Sequence, residues 1–350
     1  MVEVVKLLRE IWSGSQRLRT WKGEGNMAKK RKLIDYTEWV KLNGDKQNIR
    51  VYTYDKNAPV LLFLHGGPGV CDRHWVIHYQ KKLAENYTMV LWDQRASGKS
   101  YKYFKTKKQD LSVDLYKEDA KQLIDYLCKK FGKDKIVVFG HSWGTVLGTP
   151  VCYEYPEHIA AYIGQGQVVN GEMNEDLSYK FVMEEAAKAK DKKVIKALKD
   201  HPPVKGVYDS YEIMRAQRDA LSKYGGEEWK NRGGMVQTLI IPFLKFDGYH
   251  LRDLPKYAFG ALYLTDVLWP DVISCDFFKS VPELKMPVLM TIGCHDYNTP
   301  FEAARQWYDV LKAPRKEWVW FEDSAHSPIK EEPDAWYTAV KTFLDSLDLK

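Results

Sequence analysis

Four short apolar runs that do not alternate constrain this chain more than any other feature: VLLFL at 60–64, MVLW at 89–92, IVVF at 136–139 and VLMTIG at 288–293. A strand with one wet face alternates apolar and polar residues, whereas an unbroken run suits a strand covered on both faces, hence a parallel sheet between helices. Parallel neighbours require a crossover, and Leu111 to Phe131 supplies one, with Leu115, Leu123, Ile124 and Leu127 at helical spacing. Ile159–Gly164 and Lys316–Phe321 read as further strands, and Ile49–Tyr54 alternates like an exposed or edge strand. From about Gly166 to Leu284 the rhythm changes to Lys-, Glu-, Tyr- and Met-rich helical patterns, notably Glu184–Lys199 and Tyr211–Lys223. That stretch of roughly 120 residues is far longer than a crossover needs and reads as an insertion. The expected organisation is an extension over 1–35, a core from 36–165 and 285–350, and a helical cap over 166–284.

Bulk composition narrows the class. At 45% hydrophobic and 29% charged residues the chain is an ordinary folded protein. A net charge of +6 over 350 residues is mild. The one short basic cluster, Lys29–Lys32, reads as solvated surface, so no nucleic-acid partner is expected. Five scattered cysteines without a C-x-x-C pair argue against a disulfide framework and a zinc site, and suit a reducing, cytoplasmic setting. No apolar stretch approaches the roughly 18 residues of a membrane span. Val4, Val5, Leu8, Ile11 and Trp12 lie at helical spacing, which predicts an amphipathic helix at the start.

The stretch IVVFGHSWGTVLG at 136–148 ends a buried strand in glycines and resumes as a helix. A strand that turns into a helix within two residues forces the apex into a strained conformation, and side chains two positions either side of it would collide. Gly140 and Gly144 flank Ser142 accordingly. The serine hydroxyl is thus expected on a sharp point at the carboxyl end of the sheet, where open parallel sheets bind ligands, facing the positive end of the following helix. The bland alternative is a glycine-lined turn with an inert serine.

A serine hydroxyl becomes a useful nucleophile only when a base takes its proton. His326 follows the last expected strand, and Asp296 follows the one before it, so both emerge at the end of the sheet that carries Ser142. The order Ser142, Asp296, His326 is that of enzymes built on such an elbow. His295, adjacent to Asp296, and His141, inside the turn, are poorly placed as the base, and Asp323 reads as a turn residue. An oxyanion also needs donors. The Trp143 N–H follows the apex, and the loop LFLHGGPG at 62–69 brings Gly66 and Gly67, whose lack of side chains lets backbone approach a substrate.

HGGPG at 65–69, DQRASGKS at 93–100, GHSWG at 140–144 and the Asp296 and His326 loops together resemble the α/β-hydrolase superfamily, and within it the prolyl aminopeptidase (proline iminopeptidase) branch of serine peptidases. The resemblance implies an eight-stranded, mostly parallel sheet flanked by helices, with a helical cap inserted late. It implies Ser142, Asp296 and His326 as a triad, Gly67 and Trp143 as the oxyanion hole, and no cofactor or metal. Ala96 stands where the branch usually has glycine, and the acidic–aromatic cap motif that holds a substrate's amino group is not found. Glu172 and Glu175 are the acids at hand for that task, with Gly66 as a further substrate contact. The expected activity is a serine hydrolase that releases an N-terminal, proline-like residue from small peptides through an acyl-enzyme. A carboxylesterase or lactonase on the same triad and a non-catalytic ligand receptor are the alternatives.

Overall fold

Residues 31–102, 107, 110–230 and 241–349 are described by a computed structural model; the basic cluster before Arg31 and the helix expected around Val4–Trp12 lie outside them. The apolar runs are strands of one eight-stranded sheet. In chain order its strands are β1 (Ile34–Leu42), β2 (Asp45–Thr53), β3 (Val60–Leu64), β4 (Thr88–Asp93), β5 (Ile136–His141), β6 (Ile159–Gln165), β7 (Val288–Gly293) and β8 (Lys316–Phe321). They lie in the order β1-β2-β4-β3-β5-β6-β7-β8. β1 and β2 are antiparallel to their neighbours, and the pairings from β4 to β8 are all parallel.

Every residue of β3, β4, β5 and β7 is buried, and the two-residue period of a strand divides them between two cores. Leu62, Leu64, Val90 and Val138 pack under α2 (Val113–Phe131) and α3 (Trp143–Glu154). Leu61, Phe63, Met89, Leu91, Val137 and Phe139 pack against the opposite layer. Its helices are α1 (Arg73–Gln80) and α12 (Pro333–Asp345), which contribute Trp75, Val76, Trp336 and Phe343. The crossover helix α2 has both ends marked in sequence. Ser112 Oγ accepts from the Leu115 N–H at its start, and Gly132 closes it in the left-handed conformation at φ 62°.

Two expectations are corrected. Ile49–Tyr54 is not an edge: β2 is buried from Gln47 onward because β1 lies outside it. The extension therefore ends before residue 35, since β1 begins at Ile34. Arg50 fastens the pair through two hydrogen bonds to Asp35, at 2.8 and 2.7 Å.

Between β6 and β7 the described residues are mainly helical: α4 (Gly171–Lys188), α5 (Lys192–Leu198), α6 (Tyr211–Lys223), α7 (Ile241–Lys245), α8 (Leu254–Ser274) and α9 (Phe277–Ser280). The Glu184–Lys199 pattern is two helices rather than one. Asp191 interrupts it and caps α5 by accepting from the N–H groups of Lys193 and Val194. After β7 come α10 (Phe301–Val310), then β8, and the short α11 (Pro328–Glu331) before α12. No helix among the described residues is long and apolar enough to cross a membrane. All five cysteines are free.

Candidate active site

β5 delivers Ser142 at its carboxyl end with φ 54° and ψ −119°, and α3 starts at the next residue. This is the left-handed side of backbone space, where a non-glycine residue persists only when its surroundings hold it. Here they do. The Ser142 N–H donates to the Gln165 carbonyl at 2.9 Å, and its own carbonyl accepts from the Thr145 N–H and hydroxyl, both at 2.7 Å. A Cβ at Gly140 would lie 2.7 Å from the Gly144 carbonyl oxygen, and one at Gly144 would run into the Leu64 carbonyl. The elbow therefore admits glycine at both flanks, for the steric reason read from the sequence.

The loop after β7 carries Asp296 and the loop after β8 carries His326. Asp296 Oδ1 accepts from the N–H groups of Asn298 (3.0 Å) and Thr299 (2.9 Å). Its Oδ2 accepts from the Thr299 hydroxyl (2.8 Å) and faces His326 Nδ1 at 3.0 Å. Both side chains are almost wholly buried, at 3% and 8% exposure. Burial alone would lower the His326 pKa. The Asp296 charge and hydrogen bond, with the charges of Glu227 and Glu331, outweigh it and raise the imidazole above its ordinary value.

The loop after β3 reaches the same place. Gly67 has φ 116°, a conformation that L side chains rarely adopt, and a Cβ on Gly66 would lie 3.4 Å from that of Ser142. DQRAS lies behind this loop and holds it through Gln94, whose side-chain amide donates to the His65 carbonyl at 3.4 Å and whose backbone N–H donates to His65 Nε2 at 3.3 Å. Asp93 pairs with Arg73 at 2.6 Å, both 1% exposed. Gln94 accepts from the Trp143 indole at 2.9 Å. Arg95 forks onto Asp119, with both contacts at 2.7 Å. Ala96 sits at φ 54°, which accounts physically for the glycine that the resemblance leads one to expect there.

These loops surround a pocket of about 170 Å³ bounded by Ser142, His326, Gly66, Gly67, Glu227 and Glu228, with Trp75 and Lys330 on its wall. Residues 59–195 match the family model for the alpha/beta hydrolase fold. The chain is 32% identical over 311 residues to a probable aminopeptidase of Bacillus subtilis (strain 168), covering 88% of this chain and 95% of that protein. The chain belongs to the prolyl aminopeptidase-like branch of the α/β-hydrolases. A proline iminopeptidase of Heyndrickxia coagulans is 25% identical over 316 residues, covering 89% of this chain and all of that protein. Among solved structures, a proline iminopeptidase-related protein of Thermus thermophilus superimposes with a TM-score of 0.62 at 17% identity, over 90% of this chain and 98% of that one, a likeness of fold.

In this prolyl aminopeptidase-like hydrolase the acids named from the sequence do not line the pocket. Glu172 is exposed on a surface groove beside Trp269 and Lys279. Glu175 is buried, and both its oxygens are taken by Arg218, at 2.7 and 2.6 Å. Glu227 and Glu228 stand in the pocket instead. They ride on a short segment from the insertion that is fastened to both loops of the Asp296–His326 pair. The Gly226 carbonyl accepts from Tyr297 and Asn298 (3.0 and 3.1 Å), and the Glu227 carbonyl from the His326 N–H (3.1 Å). One carboxylate, Glu331, accepts from the N–H groups of Trp229 (3.2 Å) and Ala325 (3.0 Å). The Trp229 ring stacks on His295, 3.4 Å between centroids.

Burial, then the neighbouring Glu228 charge, raise the Glu227 carboxyl above its ordinary range, against the pull of His326 and Lys330. Burial likewise pushes Glu331 up to about 7 despite the two N–H donors. The local cue was the string Gly225-Gly226-Glu227-Glu228-Trp229, two acids after a glycine pair. Adjacent acids in a helical insertion ordinarily read as solvated surface, and only the contacts to the 296 and 326 loops distinguish these. Of the insertion's aromatic residues, Tyr249 and Tyr257 pack with Phe243 around His74 and do not line the pocket.

Proposed function

We propose that this protein is a serine aminopeptidase that removes an N-terminal residue, proline-like in size, from a short peptide or amino-acid amide. The observation that carries the reading is the pair of acids, Glu227 and Glu228, in the pocket that holds Ser142 and His326. Lys330 already pairs with Glu228, so Glu227 remains beside the acyl group. A neutral ester or lactone has no use for that carboxylate, whereas a free N-terminus brings an ammonium to it. The pocket's small volume favours one compact side chain.

The chemistry proceeds by addition and elimination. The Ser142 oxygen bonds to the carbonyl carbon while His326 takes the hydroxyl proton on Nε2, the ring nitrogen that Asp296 leaves free. The N–H groups of Trp143, in the first turn of α3, and of Gly67 receive the developing oxyanion. The C–N bond then breaks, the proton passes to the departing amine, and an acyl-enzyme remains on Ser142. Water, deprotonated by His326, repeats the addition; its oxygen leaves as part of the product carboxyl, and the Ser142 oxygen regains a proton.

Turnover of prolyl-p-nitroanilide against that of p-nitrophenyl acetate tests the reading. The arylamide is expected to be cleaved, and N-acetylation of its proline to lower kcat/KM by about 10²-fold or more, since it removes the ammonium and leaves the Glu227 carboxylate without a partner. Ester cleavage with no arylamidase activity, or indifference to acetylation, would remove the aminopeptidase assignment.

The same groups set the pH dependence. His326 must be neutral to accept the serine proton, and its pKa is raised. Glu227 must be ionised to hold the ammonium, and its pKa is raised too. Both requirements cost activity on the acid side. kcat/KM for the arylamide is expected to climb with an apparent pKa above the ordinary histidine value of about 6.5. A profile that is flat from pH 7 down to pH 5 contradicts these roles.

A further inference from the structure

Lys330 lies on the pocket wall, and its ammonium is paired with the Glu228 carboxylate. Both are well buried, the side chains 13% and 4% exposed respectively. The residue sits in α11, two positions after the proline that opens the helix, so its backbone is fixed by the loop that also carries His326. Two carboxylates therefore face one lysine. With Lys330 in place, Glu228 has its own counter-ion, while Glu227 forms no ion pair among the described residues. Charges in a site of this kind act strongly because little water reaches them.

We propose that Lys330 is a specificity-determining residue: by occupying Glu228 it limits the pocket to substrates that bring a single positive charge, their N-terminal ammonium, and rejects N-terminal residues with a cationic side chain. The inference rests on the aminopeptidase reading and adds to it a rule for the side chain at the scissile residue. A second substrate cation would have to displace the Lys330 ammonium from Glu228 or lie beside it, and juxtaposed like charges in a dry site are costly. A bare second carboxylate would instead welcome it.

Norleucyl- and ornithyl-p-nitroanilide make a matched pair, of nearly the same shape and differing in one terminal methyl or ammonium group. The wild-type protein is expected to favour norleucyl by about tenfold or more in kcat/KM, as a like-charge contact predicts. In Lys330→Met the ornithyl-to-norleucyl ratio is expected to rise by about tenfold or more, and in Lys330→Arg, which keeps the charge, to stay near the wild-type ratio. Taking the ratio within one protein cancels any general loss of turnover. An unchanged ratio in Lys330→Met overturns the proposal. So does a wild-type protein that cleaves both substrates equally well, a result that needs no variant to fold. If the wild-type protein cleaves neither of these arylamides nor prolyl-p-nitroanilide while hydrolysing p-nitrophenyl acetate, the aminopeptidase reading itself has failed. Cleavage of the prolyl arylamide alone means that size, not charge, sets the side chain and overturns the charge rule. Cleavage of norleucyl arylamide with a ratio that ignores Lys330 removes the charge rule alone.

Discussion

Ser142→Ala is expected to lower arylamide turnover by about 10⁶, the order found when a triad serine is removed elsewhere, and to abolish labelling by a fluorophosphonate. Its unfolding temperature should stay within about 2 °C of the wild-type value, because the hydroxyl contributes little to the fold. The apex is held by backbone groups and by Thr145, and the Ser142 side chain makes no capping hydrogen bond to α3. Alanine meets the same backbone cost at φ 54° as serine does. The substitution therefore separates chemistry from folding. A variant that retained more than about a thousandth of the activity would mean that another group attacks the carbonyl, since the residual rate left by binding and oxyanion donors is far smaller than that. A variant that lost its fold would mean that the hydroxyl props the turn.

What could be read from sequence divides according to whether the deciding contact is local. The buried strands, the crossover helix with its Ser112 and Gly132 ends, and the glycines around Ser142 each depend on residues within a few positions of one another. So does the placement of Asp296 and His326 at one end of the sheet, which follows from the strands they succeed. β1 has a local signal as well. Asn43 and Gly44, both at positive φ, make a two-residue turn between Leu42 and Asp45, the pattern of a tight hairpin. Without that partner strand, the alternation of β2 reads as an edge.

The pocket acids are of another kind. The glycine pair before Glu227 is too weak a cue to set it apart from Glu172 or Glu175. What distinguishes it is that His326, Tyr297 and Asn298, all more than 65 positions away, donate to the carbonyls of Gly226 and Glu227. Gly166 is similar: it follows β6, yet its lack of a side chain serves His326, since a Cβ there would come within 2.8 Å of the Nδ1 atom. The placement of Glu227 and Glu228 in the pocket depends on long-range contacts to a segment of the insertion, which no short sequence pattern specifies.

Asp296→Asn tests the orientation of the base and is expected to lower kcat by about 10⁴, as in serine-protease triads. The carboxylate accepts four hydrogen bonds, from two N–H groups, the Thr299 hydroxyl and His326 Nδ1. An asparagine of the same shape can keep Oδ1 on the N–H groups of Asn298 and Thr299, so the loop should fold. Its amide nitrogen then replaces Oδ2 and presents hydrogens to His326 Nδ1. That favours the ring tautomer with the proton on Nε2, the nitrogen that has to receive the serine proton. The Thr299 hydroxyl, 3.1 Å from Nδ1, offers the ring a second partner but no charge. Loss of the Asp296 charge should also lower the His326 pKa, because that charge heads the effects that raise it. The acid limb of the residual activity should therefore move to lower pH, a shift that simple loosening of the loop would not produce. A variant with near wild-type kcat, or one whose acid limb stays in place, would take Asp296 out of the base's support and leave Thr299 to hold the ring.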